Sequence, residues 1–307
     1  MPGEPLNKVV VFIPAYNEEE TIAFAIDKVR EIYPEDATKE KNYFVEILVV
    51  NDGSTDRTEE IVESKGVAVV SHPKNMGLGA ATRMAMMTAY EMGADVTVKL
   101  DADLQHDPAD IEKVIMPILL GKADICWGSR FAGKIHYKMP IVRRLGNIFF
   151  TWLMNQLTPY KISDAQTGLM AYGKRYLSVF ELFGSYNPPQ QLLLDAANKF
   201  MKYAEVPVVF YERKTGSSFV SLKYPFYVFI NILRIMIYGS PLKVFTAIGS
   251  VMVIFSILYF IVTSIWENYL KNFSFLWIDK LSLATLIVGL QCFFFGILAD
   301  LLIKRRK

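Results

Sequence analysis

Short β-branched runs alternate with helical spacings of apolar residues through the first 130 positions of the chain. Val9–Ile13 reads as a buried strand, followed by a helix over Glu18–Ile32; Phe44–Val50 is a second strand, with a helix opening near Asp56. Val67–Val70 gives a third strand before a helix over Leu78–Met92. Val96–Leu100 gives a fourth before Pro108–Leu120, where proline stands at a favoured helix start. Strands alternating with helices predict an α/β fold with a mainly parallel sheet covered on both faces, its ligands at the carboxyl ends of the strands.

The pattern changes towards the C-terminus. From Lys214 to Trp266 there is no Asp or Glu, and apolar residues dominate. Val244–Thr263 is 20 residues without a charge, enough at about 1.5 Å per residue to span a hydrocarbon core of about 30 Å. Leu281–Ala299 is a second uncharged run, ending near Lys304-Arg305-Arg306-Lys307. With Lys243 before the first run and the basic cluster after the second, the pair predicts a transmembrane hairpin whose ends, and the preceding domain, face the cytoplasm. Trp266, Tyr269 and Trp277 fall in the outer connection, where interfacial aromatics belong. Gln291 in the second run has two readings, a bond across the hairpin or a contact to another copy of the chain, so a homo-oligomer stays open.

Two acid-free, basic stretches accompany these spans. Phe131–Ser163 carries Lys134, Lys138, Arg143, Arg144 and Lys161. Within it Ile141, Leu145, Ile148, Phe149, Trp152 and Leu153 share one helical face, opposite Arg144, Asn147, Thr151 and Asn155. A basic amphipathic helix bearing tryptophan suits a membrane interface, although the same stripe would also suit a core-facing helix. Leu222–Ile237 is a second such stretch. The expected organisation is a catalytic domain over residues 1–221 with an interfacial helix at about 140–157, an interfacial linker helix over 222–243, and the hairpin over 244–307. A net charge of +2 on 307 residues gives no reason to expect nucleic acid as a partner. Two cysteines, Cys126 and Cys292, can build neither a zinc cluster nor, from their places in the chain, an expected disulfide.

The polar motifs fall at the predicted strand ends. Asp101-Ala102-Asp103 follows the fourth strand. In extended backbone residues i and i+2 point the same way, so both carboxylates would face one hard divalent ion, which commonly bridges diphosphate oxygens. An Asp-x-Asp arises by chance about once in a chain this long, so its position is what makes it informative. Asn51-Asp52-Gly53-Ser54-Thr55-Asp56 ends the second strand; Asp52 is placed to accept from a base or ribose while Ser54 or Asp56 caps the next helix. Gly77-Leu78-Gly79-Ala80 lacks a third glycine and follows the third strand, which argues against a dinucleotide-dependent oxidoreductase.

Taken in order, Pro14-Ala15-Tyr16-Asn17-Glu18-Glu19, Val50–Asp56, Asn75-x-Gly77-x-Gly79-Ala80, Asp101–Gln105 and Gly128-Ser129-Arg130 resemble the motifs of family 2 glycosyltransferases. The branch they resemble most is that of dolichyl-phosphate mannose synthases and polyprenyl-phosphate glucosyltransferases. Asp164-x-Gln166-Thr167-Gly168, Glu205-Val206-Pro207 and Arg213-x-x-Gly216-x-Ser218 continue the match to about residue 218. The resemblance implies a GT-A fold and inverting transfer of a hexose from a nucleotide diphosphate sugar, GDP-mannose or a UDP-hexose, to a polyprenyl or dolichyl phosphate, with Mg2+ or Mn2+. It places Pro14, Tyr16, Glu18, Val50 and Asp52 around the nucleoside. It gives Asp101, Asp103 and Gln105 to the metal, and Ala102 with them to the diphosphate. Arg130, Arg144 and Arg213 would gather the phosphates, as forked guanidinium groups do well. Asp164 would orient the acceptor, act as a base, or serve only as a structural turn. Two positions depart from the pattern: Phe219 stands where a lysine is common, and Gln191 where an acid is common. Competing readings are transfer to a lipid or sugar hydroxyl, which would make Asp164 indispensable, and an inactive nucleotide-sugar-binding membrane scaffold.

Overall fold

The protein's structure, a computed structural model, describes residues 6–34, 40–137, 139–182, 188–212, 241–269 and 275–304. Two compact units emerge, Met1–Phe229 and Ile230–Lys307.

In the first unit, seven strands form one sheet in the order β3-β2-β1-β4-β6-β5-β7. They are β1 (Asn7–Ala15), β2 (Tyr43–Asn51), β3 (Ala68–Ser71), β4 (Val96–Lys99), β5 (Ile125–Ile135), β6 (Met170–Gly173) and β7 (Tyr203–Phe210). The β-branched runs give strands because Val9–Ile13 and Leu48–Val50 are fully buried, with side chains packed on both faces of the sheet. β1 pairs in parallel with β2 and β4, and β2 with β3, so the loops after β1, β2, β3 and β4 emerge along one edge. β6 departs from the expected parallel pattern, running antiparallel to both β4 and β5.

The helices are α1 (Ile22–Ile32), α2 (Thr58–Ser64), α3 (Leu78–Glu91), α4 (Ile111–Leu119), α5 (Ile141–Leu157), α6 (Lys174–Leu177) and α7 (Pro188–Asn198). α1 and α2 begin later than the sequence pattern predicts. Their would-be first turns are instead tied to each other, as described below. A short 3-10 turn, Pro108–Asp110, opens into α4, with the Asp107 side chain accepting from Ala109 N. Ile22, Ile26 and Val29 of α1, and Ile111, Val114 and Ile115 of α4, fill the core beside β1 and β4. Both cysteines are free.

The second unit contains α8 (Pro241–Tyr269) and α9 (Phe275–Lys304), which pack as a hairpin. Pro241–Ile265 and Lys280–Leu302 are long and apolar enough to cross a membrane, and 17% of each apolar window is buried. Close approach depends on glycine: a Cβ on Gly249 would meet the Gly289 carbonyl at 2.7 Å, and one on Gly289 the Gly249 carbonyl at 3.1 Å. Ser256 and Ser282 exchange bonds, each hydroxyl donating to the other's backbone carbonyl at 2.6 and 3.1 Å. Gln291 lies on the exposed side of α9, and among the described residues these serines make a polar contact across the hairpin.

Candidate active site

The loops after β1 and β2 are stitched together. Asn17, at φ 53°, donates its amide to Ser54 Oγ at 3.0 Å, and its Oδ1 accepts from Thr55 N at 2.8 Å. Glu18 N donates to Thr58 Oγ1 and Glu19 N to Asp56 Oδ2. Asp56 also accepts from Thr58 N, the first residue of α2, although the N-cap position itself is Arg57 and has no side-chain cap. Burial works against the Asp56 charge, but the Thr58 hydroxyl and nearby amides win and hold its carboxyl below the usual range. α1 starts at Ile22, after a turn in which Thr21 N and Ile22 N both donate to the Glu18 carbonyl. Pro14, Tyr16 and Glu18 are half-buried along the first loop, and Val50 is fully buried in β2.

Asp52 is 4% exposed and points back into the protein. Its Oδ1 meets His72 Nδ1 at 2.7 Å and accepts from Met76 N at 2.9 Å, while Oδ2 accepts from Gly77 N at 2.8 Å. The aspartate expected to touch a nucleoside therefore also clamps the glycine-containing turn ahead of α3. Gly53 (φ 69°) must be glycine, because a Cβ there would collide with the Lys74 and Asn75 backbone.

Asp101 and Asp103 follow β4 in a tight turn, with Leu104 at φ 59°, and not in the extended backbone the sequence pattern suggests. Gln105 N donates to Asp103 Oδ1 at 3.1 Å, closing an Asx turn that replaces the extended geometry. Ala102 is buried beneath the turn. Gln105 reaches Tyr211 O through Nε2 at 3.4 Å, while its carbonyl accepts from Tyr211 N. Asp101 packs on Gly168: a Cβ there would strike Asp101 Oδ2 and stand 3.0 Å from His106 Nε2. Gly168 N donates to His106 Nε2, and complete burial pushes the His106 pKa down to about 3, leaving it neutral. Lys99, buried in β4, pairs with Asp101 through its ammonium. Among the described residues no group of three or more His, Cys, Asp or Glu is placed to hold a metal ion. A hard cation at the aspartate pair would thus complete its shell with diphosphate oxygens and water, the habit of magnesium and manganese at phosphate sites. The donor set fits that use.

Arg130, from β5, turns towards Asp164. Its Nε and Nη2 meet the two Asp164 oxygens at 2.6 and 2.9 Å, and Nη2 also donates to the Gln166 carbonyl at 2.8 Å. The guanidinium lies 5.0 Å from the Phe210 ring centre. Asp164 is fully buried and also accepts from Asn147 Nδ2 and Gln166 N. Burial opposes charge on both groups, but their mutual bonds prevail: the Asp164 carboxyl is held below its ordinary range and the Arg130 guanidinium above its own. Glu205 secures the same loop by accepting from Ser163 N and Asp164 N.

Helix α5 is inside out relative to an ordinary surface helix. Asn147, Thr151 and Asn155 face the protein, bonding Asp164, Ala165 N and Ile162 N. Ile141, Val142, Leu145, Ile148, Phe149 and Trp152 face outward, with Val142 82% and Trp152 57% exposed. Arg143 and Arg144 occupy its exposed first turn, and Arg144 lies one turn before Asn147, which bonds Asp164. Arg213 and the 222–240 part of the expected linker helix lie outside the described residues.

Sequence reasoning passed over three contributors. Lys99 was legible as the one charge in Val96-Thr97-Val98-Lys99-Leu100, two residues before Asp101. His72 stands before Pro73 with nothing beside it in the sequence to mark a role, and Asn147 shows only as part of a polar helix face. Neither carries a local signal, because their partners are 20 and 17 positions away.

The sheet order and the motif-bearing edge define a GT-A-type transferase fold. The sequence profile described as Glycosyl transferase family 2 matches residues 10–180, and the chain belongs to that family of glycosyltransferases. It is 33% identical to the dolichol-phosphate mannosyltransferase of Pyrococcus furiosus over 75% of this chain and 64% of that protein. It is 30% identical to the UDP-N-acetylglucosamine–dolichyl-phosphate N-acetylglucosaminyltransferase of Methanococcus voltae, over 65% and 84% respectively. Glycosyltransferase AglJ of Haloferax volcanii is 26% identical over 97% of this chain and 95% of its own. Among solved structures, glucosyl-3-phosphoglycerate synthase from Mycobacterium tuberculosis, in complex with Mn2+ and uridine-diphosphate-glucose, matches with a TM-score of 0.59. That match has 21% identity and covers 75% of this chain and 79% of the other, a likeness of fold.

Proposed function

We propose that this glycosyltransferase moves a hexose, with inversion, from GDP-mannose or a UDP-hexose to a polyprenyl or dolichyl phosphate at the cytoplasmic membrane face. The observation that carries this reading is α5. Its polar face is bonded to the Asp164 loop while its apolar face and two arginines are exposed, so a helix made for a lipid interface is built into the wall of the site. The apolar hairpin, flanked by Lys243 and the Lys304–Lys307 cluster, favours the cytoplasmic side by the positive-inside tendency. Relatives named for dolichol- and dolichyl-phosphate acceptors support the same acceptor class.

In this reading the loops bearing Pro14, Tyr16, Glu18, Val50 and Asp52 seat the nucleoside. Asp101 and Asp103, with Ala102 and Gln105 beside them, hold Mg2+ or Mn2+ against the donor diphosphate. When bound, that ion supplies charge neutralisation for the departing nucleoside diphosphate. Arg144 and Arg213 meet the acceptor phosphate, and Arg130 orders the wall between acceptor and donor. A phosphate monoester with a second pKa of about 6 is already a nucleophile at neutral pH, so positioning and charge screening are the site's main tasks. Asp164, locked inside the Arg130 pair, then serves as a positioning residue. A hydroxyl acceptor would need a base, and a fully buried carboxylate committed to Arg130 and Asn147 is ill suited to that work.

Incubating the purified full chain with labelled GDP-mannose, UDP-glucose, UDP-galactose and UDP-N-acetylglucosamine tests this, with polyprenyl phosphate and unphosphorylated polyprenol offered in parallel. The expected product is an acid-labile lipid phosphate sugar formed only from the phosphate. Transfer to the free alcohol, or to neither lipid, would remove the proposal.

A further inference from the structure

Strand β4 carries one charged residue that the transfer chemistry above does not use. Lys99 closes a strand whose other residues, Val96, Thr97 and Val98, are uncharged and buried, and its side chain is 3% exposed. Its ammonium meets Asp101 Oδ1 and lies 3.4 Å from the Gly168 carbonyl. The Asp101 side chain is 31% exposed. The pair therefore straddles the wall of the site, with the positive end inside and the carboxylate at the surface.

This has two physical consequences. One oxygen of Asp101 is committed to the lysine, and the other rests against Gly168. The buried ammonium also cancels much of the field that Asp101 would otherwise present to a cation, and low surrounding polarity makes that cancellation effective. An aspartate pair compensated in this way attracts a bare divalent ion weakly. The same ammonium favours an approaching diphosphate.

We propose that Lys99 is a resident cation of the donor site: it lowers affinity for the free divalent ion and raises affinity for the bare diphosphate, so that the ion enters and leaves with the nucleotide. The inference rests on the metal-dependent reading of Asp101 and Asp103. It makes Lys99 a positioning residue, and it gives product release a simple form, since a nucleoside diphosphate that departs removes the ligands its ion depends on.

The test uses the full chain in detergent, as wild type, K99M and K99Q. Mn2+ alone is titrated by electron paramagnetic resonance, and UDP and GDP are titrated by calorimetry in EDTA. Both substitutions are expected to tighten Mn2+ binding by about tenfold or more, since a like charge beside the ion is removed. They are expected to weaken metal-free nucleotide binding several-fold. Opposite signs distinguish this role from a merely structural one, in which both affinities would fall together and the inference would fail. It would also fail if neither affinity moved. Should a variant not fold, as judged by thermal melting, the wild type still decides: Mn2+ must bind more tightly with nucleotide present than without, and equal affinities refute the inference. Absence of Mn2+ binding even with UDP or GDP present is a separate result, which overturns the metal assignment itself.

Discussion

At the scale of single residues, the strongest internal constraint is the Arg130–Asp164 pair. Replacing Asp164 with Asn keeps a similar shape but leaves a buried guanidinium without its counter-charge, which costs about 3–5 kcal/mol. Urea unfolding of D164N should record that loss. The pH dependence follows from the depressed carboxyl. Asp164 titrates below its unfolded value in the folded protein, so its stabilisation is fully present above that unfolded value, about 3.9. It is lost only as pH falls through the folded value. The gap between wild type and D164N should therefore stay constant from pH 5 to 8 and narrow in stronger acid. Gly168 makes a second residue-scale prediction. G168A would drive a methyl group into Asp101 Oδ2 and crowd His106, so donor affinity should drop at least about tenfold in calorimetry while the sheet persists. Unchanged affinity in a folded G168A protein would show that Asp101 can yield.

At the scale of elements, α5 shows where sequence reading stops. The stripe Ile141, Leu145, Ile148, Phe149, Trp152 is plain in the sequence, but an apolar stripe fits a core as well as a lipid surface. What decides is the opposite face, where Asn147, Thr151 and Asn155 find partners in residues 162–165. Those partners belong to a loop that no periodicity announces. A spin label on Leu145→Cys in reconstituted vesicles should accordingly be more accessible to oxygen than to a water-soluble nickel reagent. The reverse preference would place α5 in water. The strands were easier: β1 and β2 contain runs of Val, Ile and Leu whose burial on both faces leaves little ambiguity. β6 was not legible, because Met170–Gly173 is four residues long and its direction is set by its neighbours. The aspartate motif was legible as chemistry and misread as geometry, since the Asp103 turn depends on a side chain accepting from Gln105 N. Lys99 was visible as a letter only; its meaning lies in the burial that forces it onto Asp101.

At the scale of the whole molecule, the chain combines a nucleotide-sugar fold with a hairpin suited to anchoring. The sequence conveyed this division through the disappearance of acids after Lys214 and the length of two uncharged runs. The expected topology can be checked in sealed vesicles with single cysteines at positions 243, 271 and 307. An impermeant maleimide should label the first and last from one side, and 271 from the other. Labelling of 243 and 307 from opposite faces would contradict the cytoplasmic hairpin.

The paired hydroxyls of Ser256 and Ser282 carry a consequence for how such an anchor lives in oil. Each serine spends its proton on the opposite helix, so neither needs a third helix or a lipid headgroup as host. With respect to these two groups the hairpin is a closed shop, and they ask nothing of whatever covers its outer surface.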